Sequence, residues 1–180
     1  LRIQGEWESV SVIPSSVEST SSGFQLWYSG FDGSSWRVGT ASSSDGKSWT
    51  RNSDIPIFSL GKAGDWDDSG VKDPVVVPGS ENTAIWYSGF DGQRWQIGYA
   101  VKDGSEWVRS TDINDTARPI MTNQGLFHIT NVRRPVPHTI NGLLRLYYSG
   151  DMGSVSRVGV ATGTKPDRLR PIYKSPNLGD

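Results

Sequence analysis

Apolar positions in this sequence come in short aromatic or β-branched runs, each followed closely by glycine, aspartate or serine. In the middle of the chain Val71 to Val77 is a β-branched run carrying Pro74. Thr83 to Ser88 closes on a Trp-Tyr pair, and Trp95 to Val101 and Trp107 to Arg109 follow. Asp91-Gly92 and Asp103-Gly104 stand between these runs. Asp-Gly between hydrophobic runs signals a hairpin, because the tight turns that join antiparallel strands need positive φ. The pattern predicts four short antiparallel strands.

The same pattern recurs. Trp27-Tyr28-Ser29-Gly30-Phe31-Asp32-Gly33 is repeated residue for residue from Trp86 to Gly92, and Tyr147-Tyr148-Ser149-Gly150 is a weaker third copy. The copies lie about 60 residues apart, and a fixed period is the sequence signature of a repeat architecture. Arg37-Val38-Gly39-Thr40-Ala41, Gln96-Ile97-Gly98-Tyr99-Ala100 and Arg157-Val158-Gly159-Val160-Ala161 follow in phase. Upstream, Gly5-Glu6-Trp7-Glu8-Ser9 matches Gly64-Asp65-Trp66-Asp67-Asp68. Three units are expected, near residues 1–62, 63–122 and 123–180, within one domain.

Four antiparallel strands repeated radially make a propeller blade. The fold class is therefore all-β and propeller-type, with three four-stranded blades; a stack of sandwich hairpins is the structural alternative. Proline cannot donate to a ladder, so Pro74, Pro135 and Pro137 place the first strand of its unit at a sheet edge. In a propeller that edge is the innermost strand, and residues just before those prolines are expected at the mouth of the central channel. Trp27 and Trp86, equivalent and in mid-strand, are expected between blades.

Composition narrows the classes. The 21 Gly and eight Trp among 180 residues suit short strands and tight turns. A formal net charge of −1 gives no reason to expect nucleic acid or an anionic membrane. No stretch approaches the roughly 18 apolar residues of a spanning helix. Without cysteine there is no disulfide or thiolate metal site. A soluble protein, cytoplasmic or secreted, is expected. The chain begins at Leu1, as a processed protein or a piece of a longer one does.

The run Gly64-Asp65-Trp66-Asp67-Asp68-Ser69-Gly70-Val71-Lys72-Asp73-Pro74, followed by the Trp-Tyr-Ser-Gly and Gly-Tyr-Ala strands, resembles the five-bladed propellers of glycoside hydrolases. The likeness is to family 43 and its relatives, including the β-fructosidases and the mannoside phosphorylases. It implies a carbohydrate-active protein that uses three inner-strand carboxylates: a base or nucleophile, a supporting Asp and a Glu acid. Asp73 matches the supporting Asp. The first unit has Val10-Ser11-Val12-Ile13 at its inner strand, and the third has Arg134 where the second has Asp73. The catalytic set is thus incomplete in this chain.

Asp73 is accordingly the catalytic candidate, although Asp-Pro is also a common turn initiator. Lys72, Arg133, Arg134, Trp66, Asp67, Asp68 and His128 are candidates for substrate binding. Arginine presents a fork of donors suited to phosphate, as in the related phosphorylases, or to carboxylates at a blade junction. Asp67, Asp68 and Glu8 are sugar contacts or loop caps, and Trp66 and Trp7 stack on sugar rings or on the loop. His128 and His138 have no neighbouring carboxylates, so neither metal nor cofactor is expected.

Known propellers have about four to eight blades. Three leave an open arc, to be closed by homodimerisation, by a different chain or by the remainder of a longer one. The functional alternatives are an incomplete glycoside-hydrolase-like enzyme, a non-catalytic module binding a carbohydrate or sugar phosphate as a homodimer, and a scaffold without ligand.

Overall fold

The computed structural model describes residues 6–78, 83–123 and 130–172. Each unit forms one four-stranded antiparallel sheet. The first holds β1 (Ser11–Thr20), β2 (Gly23–Phe31), β3 (Trp36–Ser43) and β4 (Thr50–Arg51). The second holds β5 (Gly70–Val77), β6 (Ala84–Phe90), β7 (Trp95–Asp103) and β8 (Glu106–Arg109). The third holds β9 (Asn131–Ile140), β10 (Leu143–Met152), β11 (Val155–Gly163) and β12 (Arg170–Pro171). Strands pair in sequence order within every sheet, which makes each unit a meander. No helix among the described residues is long and apolar enough to cross a membrane.

The hairpin turns form where Asp-Gly predicts them. Gly33 and Gly92 adopt φ of 98° and 88°, and the Asp32 and Asp91 carboxylates accept hydrogen bonds from backbone N–H groups two and three residues on.

β1, β5 and β9 are sheet edges, as the prolines require. β5 lies against both β1 and β9, so first strands adjoin across blades. β2 and β6 are buried on both faces, which is why they read as aromatic and apolar runs without alternation. Two core clusters lie at the junctions. Trp27 and Val38 of the first blade pack with Val71, Ile85, Tyr87 and Ala100 of the second. Trp86 and Ile97 of the second pack with Val132, Leu146, Tyr148 and Ala161 of the third.

A single return residue closes each junction. Phe58 bridges to Val38 and Met121 bridges to Ile97, each in antiparallel fashion.

Candidate functional site

The inner strands are interrupted at equivalent places. Lys72 pairs with Ser88 and Val75 with Trp86, so Asp73 and Pro74 together oppose Tyr87 alone. In β9 Arg133 pairs with Ser149 and Val136 with Tyr147, leaving Arg134 and Pro135 opposite Tyr148. Asp73 and Arg134 are forced into the left-handed region, with φ of 53° and 56°. Such bulges re-aim side chains and gather at functional sites. The two prolines behind them are fully buried and fix the chain.

A serine of the neighbouring blade secures each bulge. The Asp73 N–H donates to Ser29 Oγ at 3.0 Å, and the Arg134 N–H donates to Ser88 Oγ at 2.9 Å. The Ser88 hydroxyl in turn donates to Asp73 Oδ2 at 2.8 Å. One hydroxyl therefore joins the carboxylate of the second blade to the backbone of the third.

Cations stand on the same two inner strands as this carboxylate. Lys72 Nζ lies 4.1 Å from the centroid of the Trp95 ring and 5.4 Å from that of Trp36. Each indole is braced by a stacked phenyl ring, Phe31 on Trp36 and Phe90 on Trp95, at 4.8 Å. Burial pushes the Lys72 ammonium below the usual lysine range. Asp73 and Asp151 act against that shift, and Arg133 and Arg134 add to it. Arg133 is clamped by Asp151, with Nε 2.8 Å from Oδ2, and Ser156 Oγ donates to the other oxygen at 2.7 Å. Burial would raise the Asp151 carboxyl, but the hydrogen bonds from Arg133 and Ser156 outweigh it and hold the group below its ordinary range.

Lys72, Asp73, Arg133 and Arg134 are thus brought together, and three of the other candidates lie elsewhere. Asp67 is fully buried, and its Oδ2 accepts from Tyr87 Oη at 2.9 Å and Arg109 Nε at 2.7 Å. Trp66 stacks on Tyr87 beneath Gly89 and Gly98, where a Cβ would collide with it. Burial, then Asp67, pushes the Tyr87 hydroxyl well up. The first blade repeats the arrangement. Glu8 is buried against Arg51 at 2.7 Å, and Trp7 stacks on Tyr28. Asp68 caps its loop, accepting from the Gly64 N–H and the Ser69 hydroxyl, both at 2.8 Å. His128 lies outside the described residues. Among the described residues no group of three or more His, Asp or Glu side chains is placed to hold a metal ion.

Sequence reasoning passed over Trp36, Trp95, Asp151 and Ser88. A signal was present for the first two, since both end an Asp-Gly-x-x-Trp repeat. The third blade breaks the pattern by pairing Asp151 with Ser156 where the others pair Phe31 with Trp36 and Phe90 with Trp95.

No protein-family model matches the chain, and no curated protein matches it by sequence. Solved structures do. A family 117 glycoside hydrolase from the marine bacterium Zobellia galactanivorans is similar over 92% of this chain and 56% of its own, with 14% identity and a TM-score of 0.71. A structure from the mannoside phosphorylase family, which contains glycoside hydrolases targeting β-1,2 mannosidic linkages in Candida mannan, covers 94% of this chain at 18% identity and a TM-score of 0.69. Fructan 1-exohydrolase IIa from Cichorium intybus covers 89% at 15% identity and a TM-score of 0.67. The chain spans 50% of the second structure's length and 31% of the third's. The fold is the propeller fold of glycoside hydrolase structures.

Proposed function

We propose that the mouth formed by β5 and β9 binds a carbohydrate bearing an anionic group such as phosphate. Asp73 accepts hydrogen bonds from sugar hydroxyls, Lys72 and Arg134 face the anion, and the Trp36 and Trp95 rings hold the Lys72 ammonium in place. One observation carries this reading: a lysine held over two indoles beside Asp73, whose carboxylate one serine hydroxyl links to the bulge at Arg134 on the adjacent inner strand. Arg133 is already held by Asp151, so it shapes the field more than it reaches for ligand.

Tryptophan fluorescence tests the proposal. Hexose phosphates are expected to quench it in a saturable way, and hexoses or inorganic phosphate alone to bind more weakly. Lys72→Met, which keeps the stem and removes the charge, is expected to weaken hexose phosphate about tenfold, the worth of a charge-assisted hydrogen bond. A flat titration across hexoses, hexose phosphates and inorganic phosphate removes the reading.

A second reading, glycoside hydrolysis, rests on Asp73 standing at an inner-strand bulge. Cleavage needs one protonated carboxyl at the leaving oxygen and one ionised carboxyl across the sugar ring. The equivalent places in the other two blades hold Pro14 and Arg134. Hydrolysis through Asp73 therefore needs carboxylates from further blades. Turnover of aryl glycosides lost in Asp73→Ala and kept in Lys72→Met favours this second reading over the first.

A further inference from the structure

The indole N–H groups of Trp27 and Trp86 share one place in the repeat and differ in what they meet. Ser16 lies opposite Trp27 and Val75 opposite Trp86, so Glu18 of β1 and Val77 of β5 occupy one register. In the first blade Trp27 Nε1 donates to Glu18 Oε1 at 3.1 Å. In the second, valine stands where that carboxylate would be. Trp86 is 3% exposed, and none of the described residues accepts a hydrogen bond from its N–H. A buried donor without a partner is costly to keep.

A cavity of about 440 Å³ lies beside this indole, between the second and third blades. It sits toward the ends of β5 and β9 that are far from Lys72 and Arg133. Trp86 and Tyr99 form one wall, and Val77, Pro137, Leu144 and Pro166 supply apolar surface. Ala84 also lines it, where the first blade has the longer Gln25.

The polar groups on the wall are donors. Tyr99 meets the Trp86 ring edge-on, with centroids 5.1 Å apart. Its hydroxyl has no partner among the described residues, and burial pushes its pKa up, so it stays protonated. His138 is the base on the lining, and no aspartate or glutamate is among the lining residues. Indole can only donate. Donors without acceptors, set in apolar walls, select a ligand that brings the acceptor with it.

We infer that this cavity is a binding site for a small carboxylic acid with a compact apolar body, whose carboxylate accepts from Trp86 Nε1 in the place of Glu18. The first blade shows which acceptor this indole takes. Val77, Leu144 and the two prolines receive the body, and Tyr99 and His138 offer further donors to the carboxylate. The site does not depend on what the mouth binds.

Phenylacetate is the probe, followed through the Trp86 indole signal in nitrogen–proton correlation spectra. That signal is identified by its loss in Trp86→Phe. Phenylacetate is expected to shift it in a saturable way. Phenylacetamide keeps the shape and loses the charge, and it is expected to bind about tenfold more weakly. Val77→Glu gives the second blade the acceptor that the first already has. It is expected to move the Trp86 signal without ligand and to abolish phenylacetate binding. A Trp86 signal unmoved by phenylacetate, benzoate and isovalerate overturns the inference, as does equal affinity for the acid and its amide. Binding lost in Lys72→Met and kept in Val77→Glu places the acid at the mouth and overturns it too. Glu81 lies outside the described residues. If Glu81→Gln moves the Trp86 signal without ligand, the acceptor belongs to the chain itself and the inference falls.

Discussion

Aspartate tolerates the left-handed region better than most side chains, because its short carboxylate hydrogen-bonds locally; arginine has no such help. Arg134 nevertheless adopts the same φ as Asp73 to within a few degrees, so the frame, rather than the side chain, imposes the geometry. Arg134→Asn is expected to change stability little. Arg134→Pro, which fixes φ near −65° and removes the donor to Ser88, is expected to cost about 3 kcal/mol in denaturant unfolding. Charge at the mouth should be legible in pH. Burial lowers the Lys72 pKa, so its ammonium is lost as pH rises through a value below the ordinary 10.5. Anion affinity is expected to fall over that rise in the native chain and not in Lys72→Met. Asp32 shows the opposite case. The Ser35 N–H above all, with the Ser34 N–H and the Arg37 guanidinium, holds its pKa at about 2 against the rise from burial. A depressed carboxylate contributes stability that is present above the ordinary 3.8 and lost as pH falls toward 2. Asp32→Asn is expected to flatten acid unfolding across that window, read by circular dichroism.

At the scale of elements, the acid, tyrosine and arginine buried in each of the first two blades act as a clamp between the entering loop and the outermost strand. Removing Arg109 leaves Asp67 buried and short of a cation, so Arg109→Ala is expected to cost about 3 kcal/mol, measured by denaturant unfolding. The strands were legible in the sequence because period, turn chemistry and edge prolines all act locally. The bulge was legible only as Asp-Pro. Which way Asp67 faces was not, because a loop carboxylate has the same spacing whether it meets ligand or a tyrosine from another strand. The latching serines were hidden for a similar reason: Ser29 and Ser88 meet partners 44 and 46 residues away. The third blade gives a clue in retrospect. Pro171 lies opposite Ala161 where Arg109 lies opposite Ala100, and His128 precedes Arg134 by the interval at which Asp67 precedes Asp73. Acid and arginine are lost together, as partners are.

For the whole molecule, the repeat predicted three blades and an arc needing closure, with a homodimer among the ways to close it. What the repeat concealed is that its two ends differ, since Pro14 and the left-handed Arg134 occupy one register on strands of similar length. An arc whose ends were complementary would be a monomer in the polymer chemist's sense. Copies would add head to tail, and any rotation that failed to close would grow a filament. Pro14 offers no N–H at the register where Asp73 and Arg134 donate to a neighbouring serine, so the first blade lacks one of the bonds that such growth would use at every step.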